Sequence, residues 1–260
     1  MTPELRKYPR TPHLQGSRLQ PGDEDLTSTP LRHLQHRYLV VEEKVDGANA
    51  ALRCSPEGEL LLQSRGHYLT GGPRERHFAR FKEWAHTHTA IWWDCLGSRY
   101  VLFGEWLYAR HTIFYNALPH YFLEFDVLDL EAGAFLSTER RRTLLEGAPL
   151  CSVPVLEEGN SAHPERLPHL IGPSHFIRGN HLSDLHRIAK RAGADPDLAL
   201  AESDPSSTME GLYVKVEEEG EVVERYKYIR PSFLTAVLQS GSHWLDRPLL
   251  PNQLAPEVDW

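Results

Sequence analysis

The segment VVEEKVDGANAALR, residues 40–53, interrupts an apolar run with Lys44, Asp46 and Gly47 and then turns apolar again. A lysine amine attacks an electrophile only after losing its proton, and desolvation or neighbouring cations push it toward that state. A lysine mounted at the end of a buried strand, ahead of a glycine turn, suits such chemistry. The bland alternative is a solvated lysine in a surface turn. A Lys-x-Asp-Gly match arises by chance in roughly one chain in twenty of this length, so the motif alone is suggestive. Groups that would serve such an amine follow along the chain. Arg65 lies in the triplet SRG at the end of an apolar run, Glu105 in FGEW, Glu210 in MEGLYVKV, and Arg225, Lys227 and Arg230 in ERYKYIRPSF. Fixed cations suit the negative charge that grows on oxygens around a reacting phosphorus.

These residues need rigid mounts, and the apolar patterning supplies candidates. Strands are expected over 38–43, 48–54 and 59–64, the last two joined by the turn SPEG, and again over 99–108 and 120–130. Residues 211–229 read as a hairpin turning at Glu218–Gly220, with the acidic cluster there as a solvated turn. Phe78, Phe81 and Ala85 recur at helical spacing, which predicts a helix over 74–94, and further helices fit 138–147 and 182–192. His86 and His88 close the first of these as solvent-facing residues rather than metal ligands. Residues 1–37 are polar and proline-punctuated, an irregular N-terminal extension. Within it Lys7, Arg10, His13, Ser17 and Arg18 either lie over the site and touch phosphates or belong to a strap that merely packs on the domain. The expectation is one α+β domain over 1–260, antiparallel-rich with mixed sheets and flanking helices, ending in a C-terminal helix or tail at 234–260.

Bulk properties narrow the classes. The formal net charge is −8, which counts against a protein that coats nucleic acid non-specifically but allows a local basic groove. Three cysteines without a C-x-x-C pair argue against a disulfide framework and fit a reducing cytoplasm. No apolar run approaches the ~20 residues that span a bilayer, and the N-terminus has no apolar signal region.

The ordered set KVDG, SRG, FGEW, FLEFDVLD, MEGLYVKV and ERYKYIRPSF resembles the covalent lysyl-nucleotidyltransferase superfamily of ATP-dependent DNA and RNA ligases and mRNA capping enzymes. Each motif is weak, but six in the correct order over residues 40–233 make a strong joint signal. EKVDGANAAL and the stretch GEWLYARHTIFYNALPHYFLEFDV are most similar to ATP-dependent RNA ligases. The resemblance implies the nucleotidyltransferase (ligase adenylation) fold, with no room at either end for an accessory OB-fold. It implies that Lys44 attacks the α-phosphate of ATP and holds AMP. The AMP then passes to an RNA 5′-phosphate, and a 3′-hydroxyl displaces it. Lys227, Glu210 and Arg65 join Lys44 as catalytic residues. Glu43, Asn49, Glu105, Phe125, Asp126 and Arg225 would contact the nucleotide, with Phe125 stacking on the purine and Glu43 accepting from its amino group. Glu105, Glu210 and Asp46 would serve Mg²⁺ or Mn²⁺, and Lys227 and Arg225 would depress the pKa of Lys44. An end-healing kinase or phosphatase is the implied partner. The competing readings are a DNA ligase or capping-type guanylyltransferase, for which Asp46 in place of a histidine speaks, and a non-catalytic nucleotide-binding module.

Overall fold

The computed structural model describes residues 4–19, 23, 26–233, 248–258 and 260. Most of its order comes from strands whose side chains alternate between a core and a cleft. In chain order these are β1 (His13–Leu14), β2 (Ser28–Thr29), β3 (Tyr38–Lys44), β4 (Ala48–Cys54), β5 (Leu60–Ser64) and β6 (Tyr100–Trp106). There follow β7 (Phe122–Asp129), β8 (Ala134–Leu136), β9 (Cys151–Ser152), β10 (Val155–Asn160), β11 (Gly211–Glu218) and β12 (Glu221–Ile229). The helices are α1 (Ala79–Thr87), α2 (Thr89–Leu96), α3 (Thr138–Leu144), α4 (His181–Arg191) and α5 (Pro196–Ala201).

The main path of the sheet runs β10-β3-β11-β12-β8-β7-β6-β4-β5, with every neighbouring pair antiparallel. Short β8 joins β12 to β7 and so divides the path into two leaves, β10-β3-β11-β12 and β7-β6-β4-β5. Parallel pairings of β1 with β12 and β2, and of β9 with β7, make the sheet mixed. The larger apolar core packs Phe81, Trp84 and Trp92 of the first two helices against Leu52, Trp106 and Phe122 of the second leaf. A separate cluster of Leu39, Val41, Leu212 and Val214 backs the first leaf. Residues 45–47 carry the chain from β3 in one leaf to β4 in the other, so the lysine motif sits at the crossover.

The β11–β12 turn forms where expected, because Glu219 (φ 50°) and Gly220 (φ 83°) both take the left-handed conformation that a two-residue hairpin loop requires. The helix expected over 74–94 is instead a 3-10 turn, Pro73–Phe78, followed by α1 and α2 with a break at His88. Thr87 and Thr89 flank that break, and their β-branched side chains disfavour helix. Hydroxyl bonds from Thr87 to Glu83 O (2.9 Å) and from Thr89 to His86 O (2.8 Å) engage the carbonyls there. His86 is exposed as expected, but His88 is half-buried between Trp84 and Trp92. The edge strand β10 escaped the sequence reading, since VLEEGN shows no clean alternation. The C-terminal helix or tail expected at 234–260 falls partly on 234–247, outside the described residues.

Candidate active site

A cleft of about 630 Å³ lies between the leaves, within the range of small-molecule sites. Its walls come from the ends of β3, β5 and β6, the crossover, β7, β11 and β12, together with Tyr8, Pro9 and Thr11 from the N-terminal segment. Lys44 closes β3 with its side chain 23% exposed and its Nζ 2.7 Å from Glu210 Oε2. Glu210 stands just ahead of β11, whose Gly211 pairs directly with Lys44. A Cβ on Gly211 would lie 1.9 Å from Tyr228 O, so glycine is what lets this strand end approach β12. Arg230 secures the same turn, donating from Nε to Met209 O (2.7 Å) and from its backbone N–H to Glu210 O (3.2 Å).

Carboxylates crowd around the amine. Burial, and then the neighbouring Glu210 and Asp46, push Glu105 up to about 8, against the pull of Lys44. Burial raises Glu210 to about 7, again opposed by Lys44. For Lys44 itself burial acts to lower the pKa, but attraction to Glu210, Glu105 and Asp46 outweighs it and the net shift is upward. The expectation of an amine depressed by Lys227 and Arg225 is therefore corrected: with no ligand bound, Lys44 is an ammonium. Lys227 lines the cleft, and burial, assisted by Lys44, lowers its pKa although Asp23 holds its ammonium.

Asp46 serves the scaffold. Its Oδ2 accepts from the backbone amides of Thr112 and Ile113 (2.7 Å each), and its own N–H donates to Tyr115 (2.8 Å). Gly47 is required by packing, because an added Cβ would meet Leu107, Trp106 O and Glu105 Cγ at 2.6–2.9 Å. Among the described residues no group of three or more His, Cys, Asp or Glu side chains is arranged to hold a metal. The expected trio of Glu105, Glu210 and Asp46 therefore does not form a three-carboxylate metal site here.

Other expected residues divide between the cleft and the body. Arg65 is exposed at the cleft edge beside β5. Asn49, opposite Glu105 in register, lines the cleft with a buried Oδ1 that has no hydrogen-bond partner. Phe125 presents its ring to the cleft, 5.1 Å from Tyr8 in an edge-to-face contact. Glu43 lines the cleft but is fully engaged, accepting from Ser174 Oγ (2.6 Å) and from the His175 backbone N–H (3.1 Å), with His175 Nδ1 at 2.7 Å. Asp126 and Arg225, by contrast, do not line it. They lie 3.8 Å apart in a buried network beneath the floor. There Asp126 accepts from Tyr8 OH (2.5 Å), and the Arg225 guanidinium stacks 4.1 Å over Phe135.

That network also contains Glu42, Glu124, Arg141 and Lys215, none of which the motif order singled out. Glu42 Oε1 accepts from Arg141 and Lys215 (3.0 Å each), and Lys215 reaches Asp126 at 3.2 Å. Arg141 and Lys215 both donate to the Phe125 carbonyl. Burial raises the Glu124 pKa, although Arg141 stands 3.3 Å away. Tyr8 and Thr11 were missed as cleft residues, and one signal was available: Tyr8 is the sole Phe, Trp or Tyr in residues 1–37. A single aromatic in a polar extension is an anchor.

A family model described as RNA ligase matches residues 37–229. Among solved structures, a point variant of the Naegleria gruberi RNA ligase without ligand has a TM-score of 0.54 and 17% identity, over 89% of this chain and 57% of that one. A second variant of that ligase, with ATP and Mn, gives a TM-score of 0.54 and 16% identity over 89% and 58%. The chain therefore spans little more than half the length of these ligases, and at such identity the likeness speaks to the fold. A comparison with curated proteins finds no match.

Proposed function

Because the chain belongs to the RNA ligase family, we propose that it joins RNA ends with ATP through a covalent adenylate on Lys44. The observation that carries this reading is the placement of Lys44 Nζ, 2.7 Å from Glu210, in a cleft shared with Arg65, Asn49, Phe125 and Lys227. The nitrogen–phosphorus bond forms at the α-phosphate as the bond to pyrophosphate breaks, and Lys44 must first give up its extra proton. The attraction of Glu210 and Glu105 holds that proton. Once another cation answers their charge, burial alone acts on Lys44 and pulls its pKa down.

Glu105 and Glu210 are the carboxylates that would hold Mg²⁺ or Mn²⁺. Two crowded carboxylates with raised proton affinity fit a hydrated ion that completes its shell with water and phosphate oxygens. When bound, the ion supplies positive charge to the phosphate oxygens. Arg65 adds an exposed donor at the cleft edge and Lys227 one held by Asp23. The unpartnered Asn49 Oδ1 offers an acceptor to a ribose hydroxyl or an amino group. Phe125, its carbonyl pinned by Arg141 and Lys215, offers a face for the purine. AMP then passes to an RNA 5′-phosphate and is displaced by a 3′-hydroxyl. That sequence suits repair of cleaved RNA in the cytoplasm, beside enzymes that leave such ends.

Incubation with α-labelled ATP and Mg²⁺ followed by denaturing electrophoresis tests the first step. Label retained by the wild type and absent from Lys44→Ala supports the reading, whereas label from GTP alone redirects it to capping. Joining of 5′-phosphorylated RNA in preference to nicked DNA tests the substrate class.

A further inference from the structure

Beyond Tyr8, Pro9 and Thr11, which line the cleft, the segment ahead of β3 meets β12 at the cleft residue Lys227. Its backbone N–H donates to Pro12 O at 2.9 Å, and His13 is its register partner. A chain of side chains then runs from this strand and back to it. The Ile229 N–H donates to Ser17 Oγ (2.9 Å), and Ser17 Oγ lies 2.7 Å from His13 Nδ1. His13 Nε2 lies 3.1 Å from Asp23 Oδ2, and Asp23 Oδ2 accepts from Lys227 Nζ. His13 is fully buried, and Asp23 and Lys227 are 15% and 12% exposed. Both ends of the chain rest on β12, so the carboxylate is fixed relative to the lysine it holds. All three supporting residues precede position 37, where the match to the family model begins.

We propose that Asp23, oriented by His13 and Ser17, is a positioning residue for nucleotidyl transfer that holds the Lys227 ammonium where incoming phosphates meet it. The proposal rests on the ligase reading above. A lysine ammonium on a flexible four-carbon stem samples many rotamers unless something holds it, and the nearby Lys44 ammonium repels it. A donor fixed before the reaction needs no reorganisation as charge develops. The same contact would have the opposite consequence if Asp23 were a latch that competes with phosphate for Lys227, and the two readings differ in sign.

Single-turnover formation of the labelled adenylate by the full chain, over a range of ATP concentrations, distinguishes them. Asp23→Asn is expected to slow label uptake per folded molecule by roughly ten- to a hundredfold. Asp23→Glu recovers part of the rate, and Ser17→Ala gives a smaller loss in the same direction. In a Lys227→Ala background, Asp23→Asn adds nothing. Label uptake by Asp23→Asn that equals or exceeds the wild type overturns the proposal, as does an equal further loss without Lys227. A wild-type protein that takes no label from ATP overturns the ligase reading, and this proposal with it.

Discussion

Two clusters of charged groups lie between the leaves, one in the cleft and one under its floor, and they differ in how their charge is balanced. At and below the floor, Glu42, Glu124 and Asp126 face Lys215, Arg141 and Arg225, three against three, linked by ion pairs and buried except for Arg225, which is 13% exposed; Glu42 also lines the cleft. In the cleft, three carboxylates, Glu105, Glu210 and Asp46, surround the Lys44 ammonium; of the other two lysine and arginine side chains lining it, Arg65 stands exposed at the edge and Lys227 is already held by Asp23. A balanced buried set acts as a rivet: its desolvation cost is offset largely by the ion pairs within it, although Glu42 Oε2, Glu124 Oε2 and Asp126 Oδ1 have no hydrogen-bond partner. An unbalanced set on an open surface holds unspent charge; burial and neighbouring carboxylates raise the pKa of Glu105 and Glu210 there, and burial also raises Glu124 in the balanced set. Imbalance, more than residue type, separates the site from the scaffold.

The largest effect expected is at Lys44. Lys44→Ala removes the only group in the cleft proposed to bond to phosphorus, so label transfer from ATP should fall below detection while the fold persists. Circular dichroism and a denaturant melt check the second half. An adduct that survives in Lys44→Ala would move the chemistry elsewhere.

Next comes the scaffold cluster. Lys215 is fully buried and touches Glu42, Asp126 and the Phe125 carbonyl. Lys215→Met leaves two carboxylates facing each other without that cation, and removing one partner of a buried set costs about 3–5 kcal/mol. Urea unfolding should show that loss, while label uptake per folded molecule remains measurable. If the variant were as stable as wild type but inactive, Lys215 would belong with the cleft residues.

This contrast also explains what the sequence made legible. Motif order identified Lys44, Arg65, Glu105, Glu210 and Lys227, and the structure brings all five to one cleft because each sits at a strand end facing the crossover. Asp126 and Arg225 belong to the same motifs, yet their side chains point into the floor. Position within a motif carries no information about which pleat face is core when both faces are buried. Lys215 and Glu42 stayed invisible because a charged residue in a strand reads as solvent-facing until its partners are known, and those partners lie about 90–170 residues away in sequence. The long strands of both leaves were legible as apolar runs, since most of their residues are buried. The break at His88 was not, since it depends on threonine hydroxyls finding particular carbonyls.

A smaller effect concerns pH. Glu105 at about 8 and Glu210 at about 7 lie above the ordinary carboxylate range, so the folded chain binds more protons than the unfolded one between roughly pH 4.5 and 8. Stability from these groups is present at the acid end and lost as pH rises through that window. Lys44, also shifted upward, contributes stability that persists until pH exceeds its unfolded value, so it does not cancel the slope. Without divalent ions, unfolding free energy should decline by about 1–3 kcal/mol from pH 5 to pH 8. Glu124 shares in this decline, because burial raises it too, so the diagnostic is the flattening produced by Glu105→Gln. Added Mg²⁺ should raise the melting temperature at pH 8 more than at pH 6, since protons occupy the carboxylates at the lower pH. Equal stabilisation at both would argue against Glu105 and Glu210 as the ion's ligands.

The smallest expected effect on stability belongs to Arg65. It is exposed beside the cleft, and surface substitutions away from packing or buried networks change stability by no more than about 0.5 kcal/mol. Its role under the ligase reading is to meet phosphate or ribose, so Arg65→Ala should reduce adenylate formation by roughly tenfold or more, a loss of at least about 1.4 kcal/mol of transition-state stabilisation. The kinetic form of the loss is informative. A higher KM for ATP with unchanged kcat would make Arg65 a uniform binder, whereas equal falls in kcat and kcat/KM would make it a donor to charge that develops only at the transition state. A lowered melting temperature with normal labelling would place Arg65 with the rivets, and the rule that unbalanced, exposed charge marks the working residues would then fail at the residue that fits it best.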